Sequence, residues 1–285
     1  MATEAEYLAI LAKTFASAIP PLRVGIGDDA AVVDVSDVSD VSIALSTDMA
    51  IEGTHFNRDW STPYEIGRKI TAANLADIFA MGGKPQYLLV AAAIPVDTTS
   101  HDVAELARGI RDEAAKVGAV VVGGDLAKSP LLTIAISAFG GINKPILRSG
   151  ARIGDVVAIS DLPGESSRGL ELLVQGIRDD RTLEHRHPTV NYEKVLGIKA
   201  NSLTDNSDGL IAELESLSKA SKVLLEISSK NLPVDFHTLH GGEDHVFVGT
   251  FEKCPAAWIE IGRVVAGSGV SLDGDPIVSQ GFKHF

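Results

Sequence analysis

Acidic residues flanked by glycine or small residues recur along the chain, several of them directly after apolar runs typical of β-strands. The six segments are Gly27-Asp28-Asp29, Ser46-Thr47-Asp48, Asn74-Leu75-Ala76-Asp77, Gly123-Gly124-Asp125, Asp205-Asn206-Ser207-Asp208-Gly209 and Gly242-Glu243-Asp244. Carboxylate oxygens are the ligands that hard cations take, and glycine lets a backbone approach a phosphate closely. The pattern therefore predicts a fold that brings these acids together at one cation and phosphate site.

The composition is that of an ordinary α/β protein, and the charge limits its partners. The 285 residues, 45% hydrophobic and 22% charged, suffice for a sizeable core and for two domains. The 25 basic and 38 acidic residues give a formal net charge of −13, which repels polyphosphate backbones and argues against nucleic-acid binding. A phosphorylated ligand would therefore need the help of a metal cation.

The single cysteine and the lack of long apolar stretches bear on the cellular compartment in which the protein works. Cys254 alone cannot form an internal disulfide or a multi-thiolate metal site, which favours a reducing environment. The first twenty residues lack a secretory signal pattern, and no stretch approaches the length of a membrane span. We therefore expect a cytoplasmic protein that does not act in a membrane.

Strand-like and helix-like patterns alternate, which predicts an α/β (α+β) fold. An alternating run from 41 to 45 leads into Ser46-Thr47-Asp48, and an apolar run from 119 to 122 precedes Gly123-Gly124-Asp125. We expect both acids to lie at the ends of strands, where the flanking small residues leave room for a ligand.

A long helix is predicted from Glu65 to Met81. Ile66, Ile70 and Ala73 recur at helical spacing, and Asp77 falls on the same stripe. Burial of an uncompensated carboxylate is expensive, so a cation, strong hydrogen bonds or a water-filled cleft should meet Asp77.

Turn residues after a strand-like run from 134 to 142 predict a domain boundary. Asn143-Lys144-Pro145 gives the turn, so the domains are expected to be 1–145 and 146–285. In the second domain, the segment Asp205 to Gly209 precedes an apolar helical pattern. It is expected to cap that helix, with free backbone amides near the acids.

Several motifs together resemble the thiamine-monophosphate kinase family, within the aminoimidazole ribonucleotide synthetase-like superfamily. In chain order these motifs are Gly25-Ile26-Gly27-Asp28-Asp29, Ser46-Thr47-Asp48, Glu52-Gly53-Thr54-His55-Phe56, Asn74-Leu75-Ala76-Asp77, Gly123-Gly124-Asp125, Leu147-Arg148-Ser149-Gly150, Ser207-Asp208-Gly209-Leu210, Gly241-Gly242-Glu243-Asp244 and Gly281-Phe282-Lys283-His284-Phe285. The resemblance spans nearly the whole chain. The pattern Glu-Gly-x-His-Phe and the aromatic C-terminus favour the thiamine enzyme over other members of the superfamily.

The resemblance implies an ATP-dependent kinase that converts thiamine monophosphate to thiamine diphosphate, assisted by several Mg²⁺ ions. It also implies a homodimer in which the N-terminal mixed sheets of two subunits form a shared barrel, with a C-terminal α/β domain beside it. The acceptor phosphate has a second pKa near ~6 and is already largely deprotonated at neutral pH, so no catalytic general base is expected.

Family resemblance also assigns roles to individual residues. The implied metal ligands are Asp29, Ser46, Thr47, Asp48, Asp77, Asp125, Asp205 and Asp208. The implied ATP-binding residues are Gly124, Asp125, Arg148 and Ser207, and the implied residues for the thiamine substrate are His55, Glu243 and Phe282. His101, His185 and His187 show no metal-ligand spacing and are interpreted as solvated.

Three departures from the family pattern leave two alternatives open. Leu126 stands where a hydroxyl residue is usual, Asn206 where an apolar residue is usual, and His245 where tyrosine is common. These changes affect the acceptor side more than the nucleotide side. The alternatives are another ATP-using synthetase of the same superfamily and a sensor that binds nucleotide or thiamine phosphates without turnover.

Overall fold

The structure, a computed structural model, describes residues 22–24, 28–34 and 42–281. The strands of its first sheet are β1 Leu22–Val24, β2 Ala31–Asp34, β3 Ser42–Ile51, β4 Lys84–Ile94, β5 Val120–Lys128 and β6 Thr133–Ile142. Their order is β1-β2-β3-β6-β4-β5. Neighbouring strands are antiparallel except β4 and β5, which are parallel.

Two helices, α1 (Pro63–Ala80) and α2 (Ser100–Ala115), pack on one face of this sheet. Helix α1 begins at a capping box, in which Thr62 accepts from the backbone of Glu65 and the Glu65 carboxylate accepts from the backbone of Thr62. Apolar side chains at helical spacing, among them Ile66 and Ile70, are buried. This packing fixes the axis of α1 relative to the strands.

Two glycines let α1 and α2 approach closely. A Cβ on Gly67 would lie 2.3 Å from the Leu106 carbonyl oxygen, and one on Gly109 would lie 2.1 Å from the Tyr64 carbonyl oxygen. Both contacts are with backbone atoms that cannot turn aside. The two positions therefore have to be glycine for the helices to pack at this distance.

The second sheet has seven strands and carries the other half of the core. They are β7 Val156–Ile159, β8 Ser202–Asp205, β9 Leu224–Ile227, β10 Phe247–Phe251, β11 Ile259–Val265, β12 Gly269–Leu272 and β13 Asp275–Ile277, in the order β13-β12-β9-β11-β7-β10-β8. The helices of this half are α3 Glu165–Val174, α4 Leu183–Arg186, α5 Leu210–Ser221 and α6 Phe236–His240. Helix α5 buries Leu210, Ile211, Leu214 and Leu217 against this sheet.

Helix α1 connects the two halves, because it contacts the first sheet on one side and the second half on the other. The Phe79 and Tyr192 rings stack with centroids 5.1 Å apart. At the other end of α1, Arg178 and Arg186 form ion pairs with Glu65. The groove beside this helix is where residues of both halves meet.

The fold class and the long helix are confirmed, but the predicted strand ends are wrong. Asp48 lies inside β3 because the strand continues to pair with β6 as far as Ile51. Asp125 likewise lies inside β5, which remains paired with β4 as far as Lys128. Small residues and single acids are tolerated inside these strands, because the backbone hydrogen bonds to the neighbouring strands continue past them.

The domain boundary and the shared barrel stay predictions. The first sheet ends at Ile142 and the second begins at Val156, and the predicted boundary lies between them. Across the described ranges, no helix is both long and apolar enough to cross a membrane.

We expect Gly109→Ala to lower the free energy of unfolding by roughly 1–3 kcal/mol, because the new methyl overpacks a backbone contact. Urea unfolding followed by circular dichroism would measure the change. Gly123→Ala is the control, since its Cβ would meet only a methyl of Leu89 at 3.3 Å. Equal stability of Gly109→Ala and the wild type would contradict the close-packing account.

Candidate active site

A cavity of about 770 Å³ lies along one side of α1. The helix contributes Ile66, Lys69, Ile70, Ala73 and Asp77 to its wall, because these residues recur at the spacing of one helical face. The opposite wall comes from β3 with its following loop and from loops of the second sheet. The cavity thus lies between the two halves of the chain.

Three carboxylates from separate elements meet at one end of this cavity. Asp29 precedes β2, Asp77 is in the last turn of α1, and Asp205 ends β8. One oxygen from each lies within 4.8 Å of the others. We call these three residues the carboxylate cluster.

Neighbouring polar groups hold the cluster in place. Ser46 on β3 donates a hydrogen bond to Asp77, and Thr204 donates to Asp29 at 3.0 Å. Asp48 lies beside the cluster, and its backbone N–H donates to the side chain of Asn74 on α1 at 3.1 Å. A cation, strong hydrogen bonds or a cleft was expected to meet Asp77, and the structure shows a hydrogen bond from Ser46 and a position on the cavity wall.

Burial and nearby negative charges make Asp29, Asp48 and Asp77 hard to ionise. Burial raises the pKa of Asp29 to about 6, against the opposing effect of Arg148. Burial and the charge of Asp205 raise the pKa of Asp48 to about 6. Burial raises the pKa of Asp77 well above its ordinary value, with further increases from Asp48, Asp205 and Asp29. A cation among these oxygens would remove most of this cost.

Arg148 forms a forked pair with Asp29. Its Nη2 and Nε donate to the two carboxylate oxygens at 2.8 Å and 3.2 Å, and its backbone N–H donates to Asp28 at 3.0 Å. Its Nη1 also donates to Ser216 at 3.2 Å. The side chain that was predicted to contact ATP phosphates therefore also fixes a member of the carboxylate cluster.

Glu213, a side chain of helix α5, holds the loop between β8 and α5. Glu213 accepts from the Asp208 backbone N–H at 3.2 Å and from the Ser207 hydroxyl at 3.3 Å. Burial raises the pKa of Glu213 to about 8. The predicted capping is wrong in its detail, because the N-cap is Gly209 and no side chain caps the helix from that position.

The loop between α6 and β10 brings His245 to the cavity wall. His245 Nδ1 lies 2.8 Å from Asp205 Oδ2, and both side chains are almost fully buried. In the same loop, the Asp244 carboxylate accepts from the backbone N–H groups of Gly164 and Ser166 at 2.7 Å and 2.9 Å. These bonds tie the loop to the start of α3.

Glu243 is paired with a lysine that the sequence analysis missed. Lys69 Nζ donates to Glu243 Oε2 at 2.9 Å. Burial raises the pKa of Glu243, but the Lys69 ammonium and His185 oppose it, and the net shift is downward. Glu243 therefore stays ionised at neutral pH. Lys69 lies eight residues before Asp77 on the same helix face, and this spacing could have identified it.

His185 is buried rather than solvated as predicted. Its Nδ1 lies 3.2 Å from the Ser166 hydroxyl and 3.6 Å from Glu243 Oε2. Burial, together with the nearby Lys69 charge, lowers the pKa of His185 to about 4. No spacing signal in the sequence pointed to this residue, because α4 is a short helix that folds back onto α3.

His55 has a defined tautomer. Its Nδ1 accepts from the Ile51 backbone N–H at 3.1 Å, so the proton of the neutral ring is on Nε2. The aromatic part of the wall comes from Phe56, Trp60 and Phe236. Phe236 is 53% exposed although it borders the cavity. These rings give the cavity an aromatic surface that can pack against a flat ring.

The structure brings together most of the predicted site residues. Eight of them line the cavity, namely Thr47, Asp48, His55, Asp77, Asp205, Ser207, Asp208 and Glu243. Asp29, Ser46 and Arg148 adjoin it through the contacts given above. Phe282 lies outside the described residues, and Gly124 and Asp125 lie away from the cavity on β5.

Asp125 is on the opposite face of the first sheet from the carboxylate cluster. A row of cross-strand partners runs from Asp125 on β5 to Ala91 on β4, then to Ala135 on β6 and finally to Met49 on β3. Cross-strand neighbours share a face, whereas Asp48 precedes Met49 in the same strand and points the other way. With β5 three strands from β3, the two acids are also roughly 14 Å apart along the sheet. The metal role of Asp125 stays a prediction.

Comparison with known proteins shows the family. A family model described as AIR synthase related protein, N-terminal domain, matches residues 27–142. The thiamine-monophosphate kinase of Mycobacterium tuberculosis (strain ATCC 25618 / H37Rv) is 36% identical over 276 residues, covering 88% of this chain and 82% of that protein. The chain belongs to the thiamine-monophosphate kinase family.

Two further similarities cover nearly the whole chain. The thiamine-monophosphate kinase of Aquifex aeolicus (strain VF5) is 33% identical over 289 residues, covering 91% of this chain and 92% of that protein. A solved structure described as AaThiL complexed with AMPPCP and TMP has a TM-score of 0.90 and 31% identity, covering 99% of this chain and 97% of that one. The family inferred from the motifs, and with it the class of thiamine-phosphate kinases, is confirmed.

The carboxylate cluster fits Mg²⁺, the metal that the family resemblance implies. Its donors are hard carboxylate oxygens, which suit Mg²⁺ and Ca²⁺ better than softer metals. The charges of Asp205 and Asp29 help to raise the pKa of Asp77, and Arg148 forms its forked pair with Asp29 alone. The residues that would hold the metal are Asp29, Asp48, Asp77 and Asp205.

Without metal, Asp77→Asn should become progressively more stable than the wild type as the pH rises. A carboxyl whose pKa is raised in the folded protein stabilises the fold below its unfolded pKa near 4, and this contribution is lost on ionisation. Each pKa unit corresponds to about 1.4 kcal/mol, so we expect the melting temperatures to diverge by about 3 °C or more between about pH 4 and pH 7.

Thermal unfolding in EDTA would measure this difference, and repeating it with MgCl₂ provides the comparison. Mg²⁺ should raise the melting temperature of the wild type more than that of Asp77→Asn at about pH 7.5. A difference between the two proteins that does not change with pH would contradict the repulsion assigned to the cluster.

Proposed function

We propose that the chain transfers the γ-phosphoryl group of ATP to the phosphate of thiamine monophosphate, giving thiamine diphosphate and ADP. The observation that carries this proposal is the carboxylate cluster at one end of a cavity whose other end is aromatic. An acidic, metal-binding end suits phosphates, and an aromatic end suits the rings of thiamine. The AaThiL complex with AMPPCP and TMP supports the same pair of ligands.

The length of α1 orients the acceptor in the cavity. Ile66 lies eleven residues before Asp77, which is roughly 16 Å along the helix axis. The rings would lie toward Ile66, Phe56 and Trp60, with the phosphate toward Asp77. This direction places the acceptor phosphate at the carboxylate cluster.

Glu243 and His55 suit the thiamine substrate chemically. The Glu243 carboxylate stays ionised beside Lys69 and keeps a third of its side chain exposed, so it can face the cationic thiazolium. His55 carries its neutral-ring proton on Nε2 and can donate a hydrogen bond from that atom. These two groups would fix the orientation of the acceptor, and Phe282 stays a predicted aromatic partner.

The transfer itself needs positioning and charge neutralisation rather than a base. The chemistry that Mg²⁺ ions would supply when bound is neutralisation of the ATP triphosphate and of the single phosphate of thiamine monophosphate. Arg148 holds Asp29 in place, and Glu213 holds the loop of Ser207 and Asp208 at the cavity wall.

We further infer that the chain works as a homodimer whose second copy covers the open face of the first sheet. That face presents Met49, Tyr87 and Leu89, which are 56%, 51% and 40% exposed. A large apolar face on a sheet requires cover. Asp125 and Gly124 belong to the edge strand β5, so a second copy would bring them to the site from the partner subunit.

We expect thiamine diphosphate to form only when ATP, thiamine monophosphate and Mg²⁺ are all present. Asp48→Asn and Asp208→Asn should each lower kcat/KM by about 100-fold or more, because each removes a carboxylate predicted to hold the Mg²⁺ that neutralises the phosphates. Chromatography of thiamine diphosphate with coupled ADP detection would measure turnover. The control is Asp155→Asn, a buried aspartate that bonds to Asn201 away from the cavity.

Unchanged turnover in both variants would contradict the assignment of Asp48 and Asp208 to the active site. ATP binding with no product from the wild type would favour the sensor alternative. ADP release that depends on a different acceptor would favour another synthetase of the superfamily.

If Asp125 acts in the partner's site, mixing two inactive variants should restore activity. Asp48→Ala and Asp125→Ala subunits, co-expressed in equal amounts, would give mixed dimers with one intact site. The expected activity is about one quarter of wild type, because half of the dimers are mixed and half of their sites are intact. No recovery, with mixed dimers shown by mass spectrometry, would place Asp125 in its own subunit's site.

A further inference from the structure

His245 contacts Asp205, a different member of the carboxylate cluster from the one that Arg148 holds. Its Nδ1 lies 2.8 Å from Asp205 Oδ2, whereas Arg148 forms its forked pair with Asp29. The His245 and Asp205 side chains are 7% and 3% exposed. The sequence motifs gave His245 no predicted role, and the residue stood out only as a departure from the family pattern.

The backbone around His245 is held in an uncommon conformation. His245 has φ of 50° and Glu243 has φ of 64°, both in the left-handed region that non-glycine residues seldom adopt. The His245 backbone N–H donates to Asn206 O at 3.1 Å, and the Glu243 N–H donates to Ser207 O at 2.8 Å. The segment is thus tied to the strand end that carries Asp205, which gives the imidazole a fixed position.

A carboxylate that accepts a hydrogen bond on one oxygen is fixed in its rotation and keeps the other oxygen for a ligand. Carboxylates that bind metals are commonly held by such bonds, and loss of the partner typically lowers metal affinity by about 10–100-fold. Asp205 has the geometry for this arrangement, since it ends β8 beside Asp29 and Asp77.

We propose that His245 is a positioning residue for Asp205, donating from Nδ1 so that the carboxylate presents its other oxygen to a divalent cation. This inference rests on the proposed function, because it takes Asp205 to be a metal ligand. The tyrosine common in the family at this position carries its hydroxyl further from the backbone than Nδ1, so the donor to Asp205 is a particular feature of this chain.

Two substitutions separate the two ring nitrogens of His245. His245→Asn places an amide N–H near the position of Nδ1, whereas His245→Gln places its amide near Nε2. Asparagine also adopts a positive φ readily, so His245→Asn disturbs the loop little. The matched control is His185→Asn, which replaces another buried histidine of the same cavity that contacts no member of the cluster.

The measurement is Mn²⁺ binding to the full-length protein, with free Mn²⁺ followed by electron paramagnetic resonance. Circular dichroism and the melting temperature in EDTA would establish that each variant is folded. We expect His245→Gln to bind Mn²⁺ about 10–100-fold more weakly, while His245→Asn and His185→Asn bind it as the wild type does.

The proposal would be overturned if folded His245→Gln bound Mn²⁺ with wild-type affinity. It would also be overturned if His245→Asn lost as much Mn²⁺ affinity as His245→Gln. Asp205→Asn tests the metal role of Asp205 on which the positioning role rests. If Asp205→Asn binds Mn²⁺ as tightly as wild type, Asp205 is not a ligand and the positioning role is wrong with it, whereas thiamine diphosphate formation tests the proposed function separately. If Asp205→Asn binds Mn²⁺ weakly while His245→Gln binds it as the wild type does, only the positioning role is wrong.

Discussion

Repulsion among buried carboxylates is the constraint on which the rest of this structure depends. Asp29, Asp77 and Asp205 have oxygens within 4.8 Å of one another, and each comes from a different element. Such an arrangement weakens the fold unless hydrogen bonds and cations offset it. Arg148, Ser46 and His245 each contact one member, which explains why polar groups from both halves of the chain converge at this point.

Helix α1 makes this convergence possible. It is buried on most sides, and one of its faces carries apolar residues at the N-terminal end and Asp77 at the C-terminal end. The same face therefore provides a ring-binding end and a phosphate-binding end. Gly67 and Gly109 set how closely α2 supports the helix, so the geometry of the site depends on packing far from the chemistry.

The sequence allowed the elements to be predicted better than the contacts between them. The helical stripe predicted Asp77 on the buried face of α1, and the family motifs predicted eight of the residues that line the cavity. Periodicity could not show that β3 and β5 continue past their acids, because strand length is decided by the partner strand. Nor could it show that Lys69 meets Glu243, which is 174 residues away in the chain, or that Asp125 faces away from Asp48.

The most direct test of the account is a crystal structure grown with Mn²⁺ and AMPPCP, with anomalous diffraction used to locate the metal. The account predicts anomalous peaks bonded to oxygens of Asp29, Asp77 and Asp205, with the nucleotide phosphates on the same ions. Metal peaks bound to the phosphates and to none of these three carboxylates would contradict it.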